Sequence, residues 1–438
     1  MPLARVGLGS YALAMSTDTA AVHDPSQPDP SQLDPGQHVW NPLEPGYLAD
    51  PYTQFRELRR HAPVQHHPLG FWAVFRYEDV FAILRDPSLS VDDANVVGDS
   101  ERAQLYTRLA GDREARGDRA MLNLDPPDHT RLRKLVSKAF TPRRIAELRP
   151  EVQRLVDEAL DRVAGEGRMD VIADLAFPLP FEVISEMLGM PAADRDQIRD
   201  WSGAMVKSLD PIIGEDEVVA ALAASDHMTA HLRDVIAWKR ANPADDLLSA
   251  LIAAEDDGDM LTETELVDQV SLLFIAGHET TVNLIGNGTL ALLRNRDQLE
   301  LLRDDPSLDS AAVDELLRYD SPVQASRRIT LDDLRIGDVT IDRGSFVMCG
   351  LASSNRDEQH WGADADRLDL RRKGAGQHLA FGSGAHHCLG AALARLEGEV
   401  AIGSLIRRFP GIELTEADPP YNGRINLRGL ERLPVTLG

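Results

Sequence analysis

Cysteine is scarce in this chain, with two in 438 residues. So few thiols exclude the disulfide framework of a small secreted scaffold and fit a reducing cytoplasm. Bases are also in short supply: 46 Lys and Arg face 71 Asp and Glu, for a net charge of −25. That excess of acid argues against a nucleic-acid backbone or an anionic membrane as the main partner. Long hydrophobic runs are missing as well. No apolar stretch approaches the ~20 residues a membrane helix needs. Residues 3–15 are mildly apolar and begin near Arg5, but they lack the hydrophobic centre of a signal peptide. A cytoplasmic protein is expected.

What is present is ample core material: 43% of the residues are hydrophobic, enough for one large domain or two ordinary ones. Residues 1–39 are rich in Pro, Asp, Ser and Gln and poor in large apolar side chains, the composition of a disordered or weakly ordered leader. Order is expected from about Trp40, and residues 40–438 read as one domain with no internal repeat and no linker. Periodicity predicts helices at 52–60, 78–85, 128–140, 143–164, 190–206, 217–240, 264–294 and 311–319. Strand patterns occupy 62–76 and 334–352, the second around the turn Asp342-Arg343-Gly344. Residues 91–119 are polar and long for a loop inside a compact domain, which marks a functional or mobile segment. The fold class is mainly α with small β-sheets (α+β).

One segment carries most of the chemical information: Phe381-Gly382-Ser383-Gly384-Ala385-His386-His387-Cys388-Leu389-Gly390. Gly384 and Gly390 lack a Cβ, so the backbone can adopt unusual dihedrals and pass close to a flat ligand. The Ala/Leu-rich run after Cys388 reads as a helix, which places the thiol near a helix N-terminus where a negative sulfur is favoured. Taken alone, Cys388 could also be a buried structural cysteine. The spacing Phe-x-x-Gly-x-x-x-Cys-x-Gly resembles the heme-ligand signature of the cytochrome P450 family. The resemblance implies heme b (iron protoporphyrin IX) lying between a long distal helix and the Cys loop, with Cys388 as the axial thiolate that favours O–O cleavage. Phe381 and Gly382 would then lie beside the sulfur.

Other motifs follow in family order. Ala276-Gly277-His278-Glu279-Thr280-Thr281 interrupts the apolar helix 264–294. Gly277 weakens the helix there, and Thr280 can bond back to the Ala276 or Gly277 carbonyl, opening the turn. Standing alone this is a buried polar kink. In the family, Ala276 and Gly277 would line the cofactor, and Glu279 and Thr280 would form the acid–alcohol pair that relays protons. His129 and Arg133, four apart, share a helix face; with Arg328 and His386 they match the family's heme-propionate partners. Glu315 and Arg318 match a buried ion network that Arg367 would close as scaffold. Leu368 stands where the family has an aromatic residue.

The chain has no flavin or iron–sulfur motif of its own, so the resemblance implies electrons from a ferredoxin and an NAD(P)H-dependent ferredoxin reductase. Residues 131–144 hold six bases and no acid (Arg131, Arg133, Lys134, Lys138, Arg143, Arg144), and Arg371, Arg372 and Lys373 add a second cluster. Both could face an acidic donor or be solvated helix faces. The leading expectation is a monomeric monooxygenase that uses dioxygen to hydroxylate or epoxidise a hydrophobic small molecule. Two others stand beside it: a peroxide-using, coupling or isomerising heme-thiolate enzyme, and a heme carrier or gas sensor.

Overall fold

The structure, a computed structural model, describes residues 38–97, 120–191, 195–210, 213–256 and 258–438. Residues 1–37 of the expected leader and 98–119 of the long loop lie outside the described residues. Ten helices matter for the site: α1 Pro51–His61, α2 Tyr77–Arg85, α3 Asp128–Ala139, α4 Arg149–Val163, α5 Pro178–Met187, α6 Arg195–Val206, α7 Glu215–Ala241, α8 Glu263–Arg294, α9 Asp309–Tyr319 and α10 Ala391–Arg408.

The longest, α8, runs 32 residues, which at 1.5 Å per residue is about 48 Å. Its start is fixed by a capping box, in which the Thr262 hydroxyl accepts from the Glu265 backbone and the Glu265 carboxylate accepts from the Thr262 backbone. Burial then holds it: α5, α6, α7, α9 and α10 pack around it, and its second half from Thr281 to Leu293 is buried on every side. A helix that is apolar all round belongs in a core.

A five-stranded sheet flanks this helical body. Its strands are β1 Val64–His66, β2 Trp72–Val74, β3 Leu89–Ser90, β4 Ala325–Thr330 and β5 Phe346–Gly350, in the order β1-β2-β5-β4-β3. The β2–β5 pair is parallel and the others antiparallel. A second sheet brings Arg168–Asp170, Pro434–Thr436 and Glu413–Leu414 together. Two short hairpins complete the strands, one of them Leu334–Ile336 with Val339–Ile341. The predicted helices at 128–140, 217–240, 264–294 and 311–319 appear within a few residues of their expected bounds. The one expected at 143–164 is two, Pro142–Glu147 and Arg149–Val163. Pro150 at the second helix's first turn lacks the N–H that would continue the first.

Candidate active site

Cys388 lies in the loop that leads into α10. Gly382 and Gly384 take left-handed φ values of 67° and 71°, which glycine adopts without strain. At Gly384 space demands glycine too, since a Cβ would lie 2.6 Å from the Leu84 carbonyl oxygen at the end of α2. The loop closes on itself through Cys388 N–H to Phe381 O (2.9 Å) and His387 N–H to Gly384 O (3.1 Å). Arg395 from α10 sits 4.6 Å from the centroid of the Phe381 ring. Cys388 is exposed, yet surrounding protein pushes its thiol up, opposed by the Gly390 backbone N–H and by the charges of Arg133 and Arg395. A thiol both exposed and ringed by protein opens on a recess.

Four cationic or potentially cationic side chains converge beside that loop. His129, in the first turn of α3, is 2% exposed, and its ring lies 4.1 Å from that of His386. Neither ring nitrogen of His129 has a hydrogen-bond partner. His386 is pushed down to about 3, first by burial and then by the charges of His129, Arg328 and Arg133. Arg133 donates to the His387 carbonyl at 2.5 Å. Arg328, 4% exposed, donates to the Leu84 carbonyl at 3.1 Å. Its neighbour Arg327 points the other way, to Asp93 (3.2 Å) and Asn123 (2.9 Å), because successive strand residues alternate faces. Among the described residues no ion pair joins any of the four to a carboxylate. A cavity of about 470 Å³ bounded by His129, Arg133, Gly384 and Ala385 opens here. The recess is therefore cationic, with an orphaned buried imidazole that calls for an acidic ligand.

The middle of α8 carries the second group of expected site residues. Ala276 is exposed although it lies mid-way along a core helix. One turn on, the Thr280 hydroxyl donates to the Ala276 carbonyl at 2.7 Å, and Thr281 donates to the Gly277 carbonyl at 3.0 Å. Gly277 packs closely against α5. A Cβ on it would lie 2.7 Å from the Ile184 Cδ1, so its glycine serves close packing against α5. His278 locks the helix in rotation: its Nε2 donates to the Phe177 carbonyl at 2.8 Å, and the rings of Phe177 and Phe181 meet it edge-on at 4.6 and 5.8 Å. Burial pushes it down to about 4, so it stays a neutral donor. Glu279 is 8% exposed. Its Oε1 lies 3.1 Å from Arg424 Nη1 and 3.5 Å from Asn422 Nδ2. Burial raises its carboxyl, while Arg424 and Asn422 oppose that rise.

The ion network beneath the loop needs a correction. Glu315 and Arg318, both 0% exposed, pair bidentately at 2.7 and 2.8 Å. The guanidinium that closes the network belongs to Arg372, whose Nε lies 3.2 Å from Glu315 and whose side chain is 7% exposed. Arg367 is exposed and gives only its backbone carbonyl, to Arg318 at 3.0 Å. The chain turns between Asp364 and Asp369, which leaves the Arg367 side chain outside while Arg372 returns inward. Leu368, in the place of the expected aromatic, is buried in the main core. From here the network reaches the Cys loop: Arg318 donates to the Asn355 carbonyl at 2.8 Å, and Asn355 Oδ1 accepts from Leu379 N–H at 2.6 Å. The basic stretch 131–144 is also partly neutralised. Arg131 pairs with Glu265 and Asp259, Arg143 with Glu147, and Arg144 with Asp245.

The chain matches the Cytochrome P450 family model over residues 217–426. It is 43% identical over 410 residues to cytochrome P450 107B1 of Saccharopolyspora erythraea, covering 90% of this chain and 97% of that protein. It is 44% identical over 399 residues to a vitamin D(3) 25-hydroxylase of Pseudonocardia autotrophica, covering 90% of this chain and 95% of the relative. The solved structure of the polyketide synthase cytochrome P450 PksS of Bacillus subtilis 168 superposes with a TM-score of 0.82 at 37% identity, over 91% of this chain and all of that one. The chain belongs to the cytochrome P450 family.

As a cytochrome P450 it is a heme-dependent monooxygenase, and the residues present fit heme. The exposed Cys388 and Ala276, the unsatisfied His129, and Arg133 and Arg328, which make no ion pair among the described residues, answer to a flat macrocycle bearing two carboxylates. No helix among the described residues is long and apolar enough to cross a membrane. Sequence reasoning did not find Arg372, Asn422, Arg424 or the anchoring role of His278. Arg372 sits inside the run Arg371-Arg372-Lys373, where only the fold distinguishes the buried member. Arg424 lies far along the chain from its partner Glu279, and no local pattern links them.

Proposed function

We propose that this cytochrome P450 hydroxylates or epoxidises a hydrophobic small molecule with one atom of dioxygen, drawing electrons from a separate ferredoxin and its NAD(P)H-dependent reductase. The supporting observation is the exposed thiol of Cys388 beside Arg133, Arg328 and His129, which make no ion pair among the described residues. Heme, when bound, supplies dioxygen activation and electron uptake. Cys388 would hold it as thiolate, favoured by the Gly390 N–H and by the nearby charges of Arg133 and Arg395. His129, Arg133, Arg328 and His386 would take its propionates, with Arg best suited to carboxylates. Phe381, Gly382 and Ala276 would border it. Glu315, Arg318 and Arg372 hold the loop from below.

Thr280 and Glu279 would move the protons that the reaction consumes. The Thr280 hydroxyl, resting on the Ala276 carbonyl, can pass a proton into the recess. Substrate would be bordered by Leu272, Ala276, Val323 and the tail near Ile425 and Leu427. The names of two relatives, a vitamin D(3) hydroxylase and a polyketide biosynthesis cytochrome P450, support a hydrophobic substrate class. For the electron donor, the exposed Arg371 and Lys373 offer a basic surface, while Arg131, Arg143 and Arg144 are paired with carboxylates.

Thr280→Ala tests the relay. Substrate binding, read as the heme's spin-state change, should persist, while product per NAD(P)H falls roughly tenfold or more and the reducing equivalents appear as hydrogen peroxide. Full coupling in this variant would remove Thr280 from proton delivery. Equal turnover driven by peroxide without donor proteins would favour the peroxide-using alternative.

A further inference from the structure

We propose that Asn422 and Gly423 form a self-modification site, at which the folded tail converts Asn422 to aspartate or isoaspartate with the help of Glu279. The chain holds two Asn-Gly pairs, Asn287-Gly288 and Asn422-Gly423. In such a pair the glycine nitrogen can attack the asparagine side chain, because no Cβ crowds it. The first pair is disarmed. It lies inside α8, where the helical ladder ties up the Gly288 N–H, and Asn287 is 1% exposed. The second lies in an open turn. Gly423 is exposed at a φ of 76°, and nothing comes within 4 Å of where its Cβ would stand. Its N–H has no hydrogen-bond partner among the described residues.

The surroundings of Asn422 supply what this reaction needs. Its Oδ1 accepts from the Arg424 backbone N–H at 3.0 Å, a donor placed where negative charge develops once Cγ is attacked. Its Nδ2, the leaving nitrogen, donates to the Leu427 carbonyl at 3.2 Å and lies 3.5 Å from Glu279 Oε1. Burial raises the Glu279 carboxyl, which suits it to take a proton and return it. The Gly423 nitrogen bonds to Asn422 Cγ and gives up its proton. The Cγ–Nδ2 bond then breaks, and that proton, carried by Glu279, completes the departing ammonia. Water opens the imide ring: its hydroxyl joins one of the two carbonyl carbons and its remaining hydrogen goes to the nitrogen. Attack at Cγ gives aspartate; attack at the main-chain carbon gives isoaspartate and a longer backbone. Nothing is oxidised or reduced. Aspartate at this position sets a second carboxylate beside Glu279, and like charges so close raise its proton affinity. The conversion stands apart from the reading of Glu279 as a proton carrier, whereas its effect on coupling rests on that reading.

Heme-loaded protein held at neutral pH in isotopically labelled water, then digested and followed by mass spectrometry, tests this. Peptides with Asn422 should gain the mass of the amide-to-acid exchange together with label from water, while those with Asn287 stay unchanged. Glu279→Gln should slow the conversion roughly tenfold or more. In urea the parent and Glu279→Gln should convert at one rate, since the fold no longer brings the acid to the tail. An Asn422 that keeps its amide in the folded protein, equal conversion of Asn287, or an undiminished rate in folded Glu279→Gln would overturn the proposal. Asn422→Asp is then assayed with donor proteins and the first compound of a steroid, polyketide and fatty-acid panel that shifts the heme's spin state. It should form more peroxide per NAD(P)H than the parent. Unchanged coupling there would strike the relay reading of Glu279, not the conversion.

Discussion

Glu315→Gln is expected to yield protein that unfolds far more readily and retains little heme. The substitution keeps the shape of the side chain and removes its charge. Arg318, 0% exposed, and Arg372, 7% exposed, would then stand in the interior without their shared counter-ion. Removing one partner of a buried pair costs roughly 3–5 kcal/mol, because a desolvated charge is left uncompensated. The Asp369 N–H also loses part of its acceptor. The damage passes to the Cys loop through Asn355, which receives Arg318 at its carbonyl and holds Leu379 through its side chain. Thermal unfolding and heme content of the purified variant measure both effects. A variant with the parent's midpoint and full heme would show that the network is not a support for the loop. Arg367→Ala, by contrast, should change little, since only the Arg367 backbone takes part.

Cys388→His is expected to abolish the thiolate-type absorption of the reduced carbon monoxide complex, together with all turnover. The two cysteines make the comparison sharp. Cys349 is 0% exposed in β5, and burial pushes its thiol up to about 12, so it remains a neutral packing group. Burial pushes the Cys388 thiol up as well, but there the Gly390 amide, Arg133 and Arg395 oppose the rise, and the sulfur is open on one side. Cys349→Ala should therefore leave the spectrum untouched. Retention of the thiolate spectrum in Cys388→His would remove Cys388 as the ligand.

The parts of this protein that could be read from its sequence are those whose cause is local. The period of α8 and its polar motif from Ala276 to Thr281 are written in consecutive residues, and so is the glycine pattern around Cys388. The helix α5 escaped because Pro178 and Pro180 sit in the apolar stretch that opens it and hide its period, although proline at a first turn is favourable. The network's third arginine was misplaced for a different reason. Arg367 and Arg372 stand five apart in one basic, acidic turn, and which of them turns inward depends on backbone dihedrals that composition does not encode. The packing of Gly277 is equally non-local, since its neighbour Ile184 comes from a distant helix. The contact between Arg424 and Glu279 joins the tail to the middle of α8 and has no local signature at all.

Turnover under isotopically labelled dioxygen, with a ferredoxin, its reductase, NAD(P)H and a compound that shifts the heme's spin state, tests the assignment most directly. The product should be enlarged by one oxygen atom, that atom should carry the label, and one NAD(P)H should be consumed per product. A product whose added oxygen comes from water or peroxide, or NAD(P)H consumption that yields no oxygenated product from any compound that binds, would contradict a heme-thiolate monooxygenase built on Cys388, Glu279 and Thr280.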